Sequence, residues 1–322
     1  MSIAKPTQSG KMVAAKGDAT MTARYINPYT DFGFKKLFGE EASKKQLVDF
    51  LNAVLPEPFQ VADLTLQPSE QLPEHFTDRK AIFDIACVSP DGRSFIVEMQ
   101  KVKQRWFKDR ALFYASHAVQ RQAVKGDWDF KLRPVIFVAI LDFEYDEAEE
   151  YRELQRDVSL KDQNGAEFVN SLRMSFLQMP LFVKTESELE TRKDKWLYFL
   201  KNLESFDHIP AILREPVFES AFDRAEFLRY TKEEQEAYFK SQMAYWDNIN
   251  TFRYAVETAA EEGRAEGRAE GRAEGEAIGE ARGDARGKAE RDQIVRNMKQ
   301  EGLDTDLIVR MTGLSEKEID SL

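Results

Sequence analysis

The stretch FDIACVSPDGRSFIVEMQK, residues 83–101, decides the fold because it contains two strand-like segments joined by a tight turn. The apolar residues of both segments are typical of buried β-strands. Each segment nevertheless carries one acid among these apolar residues, Asp84 in the first and Glu98 in the second. A carboxylate is rarely buried unless it is paired or binds a metal. The two acids are therefore the first candidates for a functional site.

The turn SPDGR, residues 89–93, sets the register of this hairpin. Pro and Asp suit the central positions of a type I turn, and Gly92 suits the left-handed position that follows them. In such a three-residue loop the first and last residues of the turn pair with each other. Counting outward from that pair places Asp84 directly opposite Glu98. Because side chains alternate between the two faces of a strand, both acids are expected on one face.

Two directly opposed carboxylates need compensation. Opposed residues have Cβ atoms ~4.5–5.5 Å apart, and like charges at that distance destabilise a sheet. A divalent cation such as Mg²⁺ removes the repulsion, because hard metals take carboxylate oxygens and keep several waters. Two alternatives stay open at this point. A two-residue loop would shift the register by one and set the acids diagonally, and an acid in an exposed hairpin needs no metal.

The composition excludes several classes of protein. The chain has 322 residues, of which 42% are hydrophobic and 32% are charged, and its formal net charge is −11. Cys87 is the one cysteine, so no internal disulfide is possible, and with only three histidines a zinc site is not expected. No apolar run is long enough to span a membrane or suits a secretory signal. We therefore expect a cytosolic protein whose residues 1–24 form a disordered leader.

The order of the apolar segments predicts an α/β domain over residues 25–214. Helices are predicted at 41–55, 106–126 and 193–206, the second of them closed by Gly126. Strands are predicted at 61–68, 81–88, 94–100, 133–143 and 172–183. We expect these strands to form a mixed central sheet flanked by helices, followed by an all-helical C-terminal region.

The remainder of the chain predicts helices alone. Residues 215–258 have helical periodicity and form the expected connector. In residues 259–290 a glycine recurs at every fourth position from Gly263 to Gly287. This repeat is either a flexible charged linker or a helix whose small residues let another helix approach, which would offset about 1 kcal/mol per glycine. Residues 291–322 carry capping signals typical of a small helix-turn-helix-like unit.

Positive charge is concentrated beside the hairpin. Between residues 93 and 133 ten Lys or Arg accompany four Asp or Glu, although the whole chain is acidic. Helical spacing predicts a stripe of cationic and polar residues on one face of the helix 106–126, namely Arg110, Tyr114, His117, Arg121 and Lys125. Such a stripe beside a metal site would bind phosphates. The solvated face of an ordinary amphipathic helix is the alternative.

The acids and the motifs around them resemble a known family of nucleases. The spacing of Asp84, Glu98 and Gln100 is similar to that of the PD-(D/E)XK nuclease superfamily. Four features resemble more closely its recombination-promoting nuclease (Rpn) and transposase family: the motif DFGFKKLFG at 31–39, the hairpin ending in VEMQ, the Glu/Gly/Arg/Ala repeat and the TGLSEKEI ending. The resemblance covers most of the chain from residue 25 onward, and it implies a restriction-endonuclease-like fold.

The resemblance implies a magnesium-dependent DNA endonuclease, with Mn²⁺ as the alternative metal. Asp84 and Glu98 would bind the metal, the backbone carbonyl of Met99 would add a ligand, and Asp31 would act through a water. Gln100 stands where most members of the superfamily carry a lysine. A glutamine is no base at neutral pH, but its amide can orient a water by hydrogen bonding.

The resemblance also implies double-stranded DNA as the partner and a role in recombination or mobile elements. The residues expected to contact DNA are Lys80, Lys101, Lys103, Arg110, Tyr114, Arg121 and Lys125. Strand alternation makes Lys101 and Lys103 poor replacements for the missing lysine, unless the strand has already ended. From the repeat we expect a homo-oligomer.

Two other functions stay open. The first is a catalytically weak DNA-binding or assembly protein that keeps the fold, because Gln100 replaces the lysine. The second is a transposase with three separated acids, for which a clear third acid is missing.

Overall fold

The computed structural model describes residues 23–68, 70–71, 81–145, 148 and 152–322. Lys80 and all but the last two residues of the predicted leader lie outside this part of the chain. Within it, no helix is long and apolar enough to cross a membrane.

The described chain contains the predicted strands and helices in the predicted order, together with β2 and β7, which were not predicted. The strands are β1 Thr65–Gln67, β2 Glu70–Gln71, β3 Ala81–Ile82, β4 Ile85–Val88, β5 Ser94–Gln100, β6 Val135–Leu141, β7 Gln155–Lys161 and β8 Glu167–Gln178. The helices are α1 Asp31–Phe38, α2 Lys44–Val54, α3 Phe107–Gln120, α4 Arg192–Asn202, α5 Pro216–Ala225, α6 Lys232–Gln300, α7 Thr305–Thr312 and α8 Glu316–Asp320.

Six strands form one mixed sheet in the order β1-β4-β5-β6-β8-β7. Strands β5, β6 and β8 run parallel, whereas β1, β4 and β7 pair antiparallel with their neighbours. The carboxyl ends of β5 and β6 therefore lie side by side, and the amide of Asp142 donates a hydrogen bond to the carbonyl of Gln100 (2.9 Å). The predicted α/β fold with a mixed sheet and flanking helices is confirmed.

The sheet separates two hydrophobic clusters. The larger one packs residues of α1, α2, α4, α5 and the start of α6 against one face, and the smaller one packs α3 against the other. Strand β6 is buried on both faces, because Ile136 and Val138 face the larger cluster while Val135 and Phe137 face the smaller one. This burial explains why β6 is the most apolar run in the sequence.

The hairpin has the predicted register but not the predicted strand. Ser89 accepts a hydrogen bond from Gly92, whose φ is +85°, and the β4–β5 pairing continues outward to Ile85 opposite Val97. The expected continuous strand 81–88 is wrong, because the chain bends at residues 83 and 84 and divides it into β3 and β4. The bend turns Phe83 onto the α3 face, where its ring packs edge-on against Tyr114 (5.8 Å).

Helix α3 is shorter than predicted. It ends at Gln120 rather than at Gly126, so Lys125 does not continue its cationic face. The side chain of Gln122 explains the early end, because it both accepts a hydrogen bond from the Arg133 amide (2.7 Å) and donates one to the Arg133 carbonyl (3.0 Å). These bonds draw the chain back toward β6 as soon as the helix stops.

The chain forms two compact units, which divide between Asn250 and Thr251. Helix α5 and the first turns of α6 contribute Phe218, Phe222 and Tyr238 to the larger cluster of the first unit. The Gly-containing repeat is helical throughout, as part of α6.

In the second unit, Val295, Ile308 and Ile319 form a small core among α6, α7 and α8. The predicted capping box of Ser315 and Glu318 is present at the start of α8.

Candidate active site

Asp84 and Glu98 meet at the bend between β3 and β4. The backbone amide of Asp84 donates a hydrogen bond to Glu98 Oε1 (3.2 Å), and Asp84 Oδ2 accepts one from the amide of Met99 (2.7 Å). In the register of the hairpin, residue 83 would pair with Met99. Because the chain bends away there, the Asp84 carboxylate takes the amide that a straight strand would have bound. The bend thus both breaks the strand and brings the two acids together.

Glu98 is an acid buried in the sheet, with only 3% of its surface exposed. Burial raises the pKa of Glu98 to about 8, and the charge of Asp84 adds to this rise. Hydrogen bonds from the Asp84 amide and from Gln100, and the charge of Arg110, oppose it. Burial likewise raises the pKa of Asp84, although the Met99 amide opposes the rise. Burial thus disfavours the charged forms of both neighbouring acids, and a bound cation would stabilise these charged forms.

Gln100 connects Glu98 to helix α3. Its Nε2 donates a hydrogen bond to Glu98 Oε2 (3.2 Å), and its Oε1 accepts one from Arg110 Nη2 (2.7 Å). These bonds fix the orientation of the amide, because a flipped amide would point its NH₂ group at the guanidinium. The neutral amide of Gln100 therefore links the Arg110 guanidinium to the Glu98 carboxylate through two hydrogen bonds. The Arg110 guanidinium also lies over the ring of Tyr114 (5.6 Å).

Two further cationic side chains act on Asp84, namely Lys35 of α1 and Lys101 at the end of β5. Strand β5 ends at Gln100, so Lys101 leaves the sheet at once. The charges of Asp31 and Lys35 act on both Asp84 and Lys101. Burial lowers the pKa of Lys101, whose ammonium lies 5.7 Å from the centre of the Tyr245 ring. Because the strand ends at Gln100, strand alternation does not turn Lys101 away from Gln100. Lys101 therefore stays a candidate replacement for the missing lysine.

Asp31 is held at the first turn of α1 and forms an ion pair with Lys35 (2.9 Å). The N-cap Thr30 accepts a hydrogen bond from the Gly33 amide (3.0 Å). Gly33 is required for this turn, because a Cβ atom there would lie 2.2 Å from the carbonyl oxygen of Asn27. The DFGF motif therefore places Asp31 where its charge acts on Asp84, and the ion pair with Lys35 compensates that charge.

The donor atoms at this site fit a hard divalent cation. In the described part of the chain, no group of three or more His, Cys, Asp or Glu side chains could hold a metal ion. Asp84 and Glu98 are therefore a two-carboxylate set, and Mg²⁺ is commonly bound by one or two carboxylates with waters and substrate phosphates completing its shell. Asp31 belongs to the surroundings of this pair. The carbonyl of Met99 remains a predicted ligand.

The other residues that we expected to contact DNA are spread around this site. Arg110 lies next to Gln100, and Tyr114 is half-buried against Phe83. Arg121 is exposed at the C-terminal end of α3, and Lys125 is exposed in the loop beyond it. Lys103 is half-buried, and Lys80 lies outside the described residues.

Two further residues at the site were not anticipated from the sequence. Lys35 lies one helical turn after Asp31, and the spacing of DFGFK would have signalled this ion pair. Asp142 directly follows β6, beside the end of β5. Burial raises the pKa of Asp142 to about 6, against the charge of Lys201. An acid at the end of the most apolar strand was the signal that could have identified it.

Two protein-family models match the chain. The model described as "PD-(D/E)XK nuclease family transposase" matches residues 28–255, which include both acids and Gln100. The model described as "Rpn/YhgA-like nuclease family, C-terminal HTH domain" matches residues 292–322. No curated protein and no solved structure matches the chain. Since the first match covers more than half of the chain, this protein belongs to the PD-(D/E)XK nuclease family of transposase type.

Proposed function

We propose that the protein is a Mg²⁺-dependent DNA endonuclease whose active site is built on Asp84 and Glu98. The observation that carries this proposal is the contact between the two acids, which keeps a buried carboxylate beside a second one at the end of the hairpin. An unpaired buried charge of this kind destabilises a fold by several kcal/mol unless a partner is present. A divalent cation is such a partner, and Mn²⁺ has the same preference for carboxylate oxygens.

In this mechanism a bound Mg²⁺ would supply a water of lowered pKa and would offset charge on the phosphate. Asp84 and Glu98 hold the site, and the Met99 amide fixes the Asp84 carboxylate. Gln100 fixes Glu98 and presents an amide beside it, which orients a water. Lys101 and Arg110 provide positive charge on the two sides of the acid pair, where the scissile phosphate has to lie.

Plasmid cleavage tests this proposal. Supercoiled DNA is incubated with Mg²⁺ and with wild-type protein, Asp84→Asn or Glu98→Gln, each of which removes a charge while keeping the shape of the side chain. Glu219→Gln on α5 is the matched control, because Glu219 is an exposed acid. We expect both site variants to lose cleavage at least ~10²-fold and the control to retain it. Cleavage that survives in Asp84→Asn and in Glu98→Gln would refute the assignment.

The C-terminal unit supports DNA as the substrate. Its match to a helix-turn-helix domain suggests a second DNA-binding element, and the basic segment 93–133 suggests a first. Phosphate contacts made by such a segment render binding dependent on salt. Double-stranded DNA is the partner that we propose, and mobility or recombination of DNA elements is the process.

A DNA-binding or assembly protein without cleavage activity is the second candidate function. Gln100 favours it, because a neutral amide stands at the position of the usual lysine. The same plasmid assay separates the two candidates. Salt-sensitive binding by a wild-type protein that cleaves nothing with Mg²⁺ or Mn²⁺ would favour the second candidate.

We further propose that the repeat of α6 mediates self-association. Residues 259–290 are exposed along their whole length, and a Cβ atom added at Gly263, Gly267 or Gly271 would meet no atom of the described chain within 4 Å. Contacts within the described chain therefore give these glycines no packing role. A long helix that buries no face is stabilised by a partner more than by propensity, and a second copy of the repeat provides matching small residues.

A further inference from the structure

Two aromatic residues that flank α3 combine a strained backbone with an exposed ring. Trp106 precedes α3 with φ +65°, and Phe130 lies in the loop after α3 with φ +57°. No other non-glycine residue in the described chain has a positive φ. Their exposed fractions are 67% and 76%, so burial of the rings does not stabilise these conformations. Backbone strain of about 1–3 kcal/mol at an exposed side chain is characteristic of functional positions.

Trp106 lies one helical turn from the residues around the acids. Its carbonyl accepts a hydrogen bond from the Arg110 amide (3.0 Å), and the Arg110 guanidinium reaches Gln100, which holds Glu98. Trp106 therefore precedes by one helical turn the arginine that connects α3 to the acid pair.

The helix continues this aromatic surface away from the acids. Trp106, Arg110, Phe113 and His117 follow the spacing of one helical face. The ring of Phe113 is 44% exposed and packs edge-on against His117 (4.6 Å). We call the set formed by the exposed rings of Trp106 and Phe113 and the half-buried Arg110 the aromatic face of α3.

The charge around this face matches a nucleic acid. The Arg105 guanidinium lies 5.0 Å from the centre of the Trp106 ring. Residues 105–133 contain seven Lys or Arg and three Asp. Aromatic rings interleaved with cations are the combination by which proteins hold unpaired nucleotides, since the rings stack on bases while the cations bind the backbone. Protein interfaces also use aromatic rings and arginine, so the net positive charge of this segment is what favours a nucleic acid.

We propose that the aromatic face of α3 binds an unpaired base of the DNA substrate, with Trp106 stacked on the base next to the phosphate at the acid pair. This inference rests on the proposed DNA-directed function and narrows the substrate to DNA that contains unpaired or opened bases. Trp106 is a binding residue in this account, and Arg105 holds its ring against the base.

A fluorescent base tests the proposal. The probe is a duplex with one bulged 2-aminopurine, whose emission falls when the base stacks on a ring, and the fully paired duplex is its reference. Affinity is measured by anisotropy in EDTA, so that no cleavage occurs. We expect the wild type to prefer the bulged duplex and to quench its emission. Trp106→Leu should bind the bulged duplex about 5- to 100-fold more weakly, with paired DNA unaffected.

Two further variants complete the comparison. Trp106→Phe keeps an aromatic ring and should retain most of the quenching. Phe168→Ala removes a ring that is 77% exposed on β8, and it should change neither affinity nor emission. Since Leu keeps an apolar side chain at an exposed position, Trp106→Leu should unfold at the same temperature as the wild type. If it does not fold, Trp106→Gln replaces it.

Wild-type affinity and quenching in a folded Trp106→Leu or Trp106→Gln would overturn the inference. It would also be overturned if these variants changed only the mass of the free protein or its binding to anionic vesicles, because the face would then contact a second copy or a membrane. The nuclease proposal fails separately. A wild type that never cleaves plasmid and still shows Trp106-dependent quenching would refute cleavage and leave this inference standing.

Discussion

Glu98 determines how the site responds to pH and to metal. Its carboxyl is buried beside Asp84, and its pKa is raised to about 8 from an ordinary value of 4.5. A raised pKa means that the folded protein holds the proton more tightly than the unfolded chain does. The resulting stabilisation is complete below pH 4.5 and is lost as the pH rises through about 8.

The metal-free protein should therefore become less stable between about pH 5 and about pH 9, by an amount on the order of a few kcal/mol. Mg²⁺ requires the ionised carboxylate, so it should raise the melting temperature more at the higher pH. Glu98→Gln cannot titrate, and it should lack both effects. Thermal melts of wild type and Glu98→Gln, with EDTA or Mg²⁺, measure this difference. An equal pH dependence in both proteins would contradict the assignment of the buried proton to Glu98.

Gln100 and Arg110 should behave as a coupled pair. A lysine at position 100 would place an ammonium beside the Arg110 guanidinium, which now donates to Gln100 Oε1. We expect Gln100→Lys alone to lower cleavage, on the order of 10²-fold through displacement of Glu98. The double variant Gln100→Lys with Arg110→Gln removes this repulsion and should recover most of the loss. Cleavage rates of the four proteins form a double-mutant cycle, and purely additive effects would show that the two residues act independently.

The sequence predicted the acid pair and positive charge beside it, but it did not predict the contacts that attach this charge to the acids. The SPDG turn is local, and its chemistry alone set Asp84 opposite Glu98. The hydrogen bond between Arg110 and Gln100 joins a helix to a strand. Periodicity and spacing describe residues within one element, so they do not predict such a contact. Lys101 depended on where β5 ends, which is the least predictable property of a strand.

At the scale of elements, the DFGF turn before α1 should be the least tolerant of substitution. Gly33→Ala would drive a Cβ atom against the Asn27 carbonyl, and the backbone that positions Asp31 would have to move. We expect the free energy of unfolding of the first unit to fall by ~1–3 kcal/mol. Chemical denaturation followed by the fluorescence of Trp196, which is buried in the same core, reports this unit.

Gly267→Ala is the matched control for Gly33→Ala. A Cβ atom at Gly267 meets no described atom within 4 Å, and the residue lies inside a helix. It should leave the transition of the first unit unchanged. If both variants shift that transition equally, the effect of Gly33→Ala does not come from the contact with Asn27.

The elements that sequence patterns did not predict are those governed by distant contacts. Every residue of β7 is exposed or half-buried. Its two alternating apolar residues, Val158 and Leu160, are too few to predict a strand, which forms by pairing with β8. The early end of α3 depends on hydrogen bonds between Gln122 and Arg133. The apolar strand β6, by contrast, is evident from its residues alone.

At the scale of the whole molecule, composition and the order of elements were sufficient for the fold class. Composition and the order of elements do not reveal the boundary between the two units, because the aromatic residues Tyr238 and Tyr245 at the start of α6 are buried in the first unit. Helical periodicity shows that a segment is a helix, but it does not show which core the apolar face joins. The continuity of α6 through the repeat also required the structure, since glycine at every fourth position suits a linker as well as a helix.

The repeat of α6 should mediate self-association of the chain. Glutamine favours a helix more than glycine does, so the helix should persist when Gln replaces Gly267, Gly271, Gly275 and Gly279. The bulk of the new side chains prevents another helix from approaching closely. We expect the mass measured by sedimentation to fall toward that of the single chain, with the helical content unchanged or raised.

The matched control introduces the same residue type on the neighbouring face. It replaces Glu262, Glu266, Glu270 and Glu274 with Gln, which removes four negative charges and leaves the glycines in place. This variant should sediment as the wild type does. An unchanged mass in the glycine variant would refute close packing of the repeat. A loss of mass in the glutamate variant alone would mean that charge pairing, rather than small residues, holds the copies together.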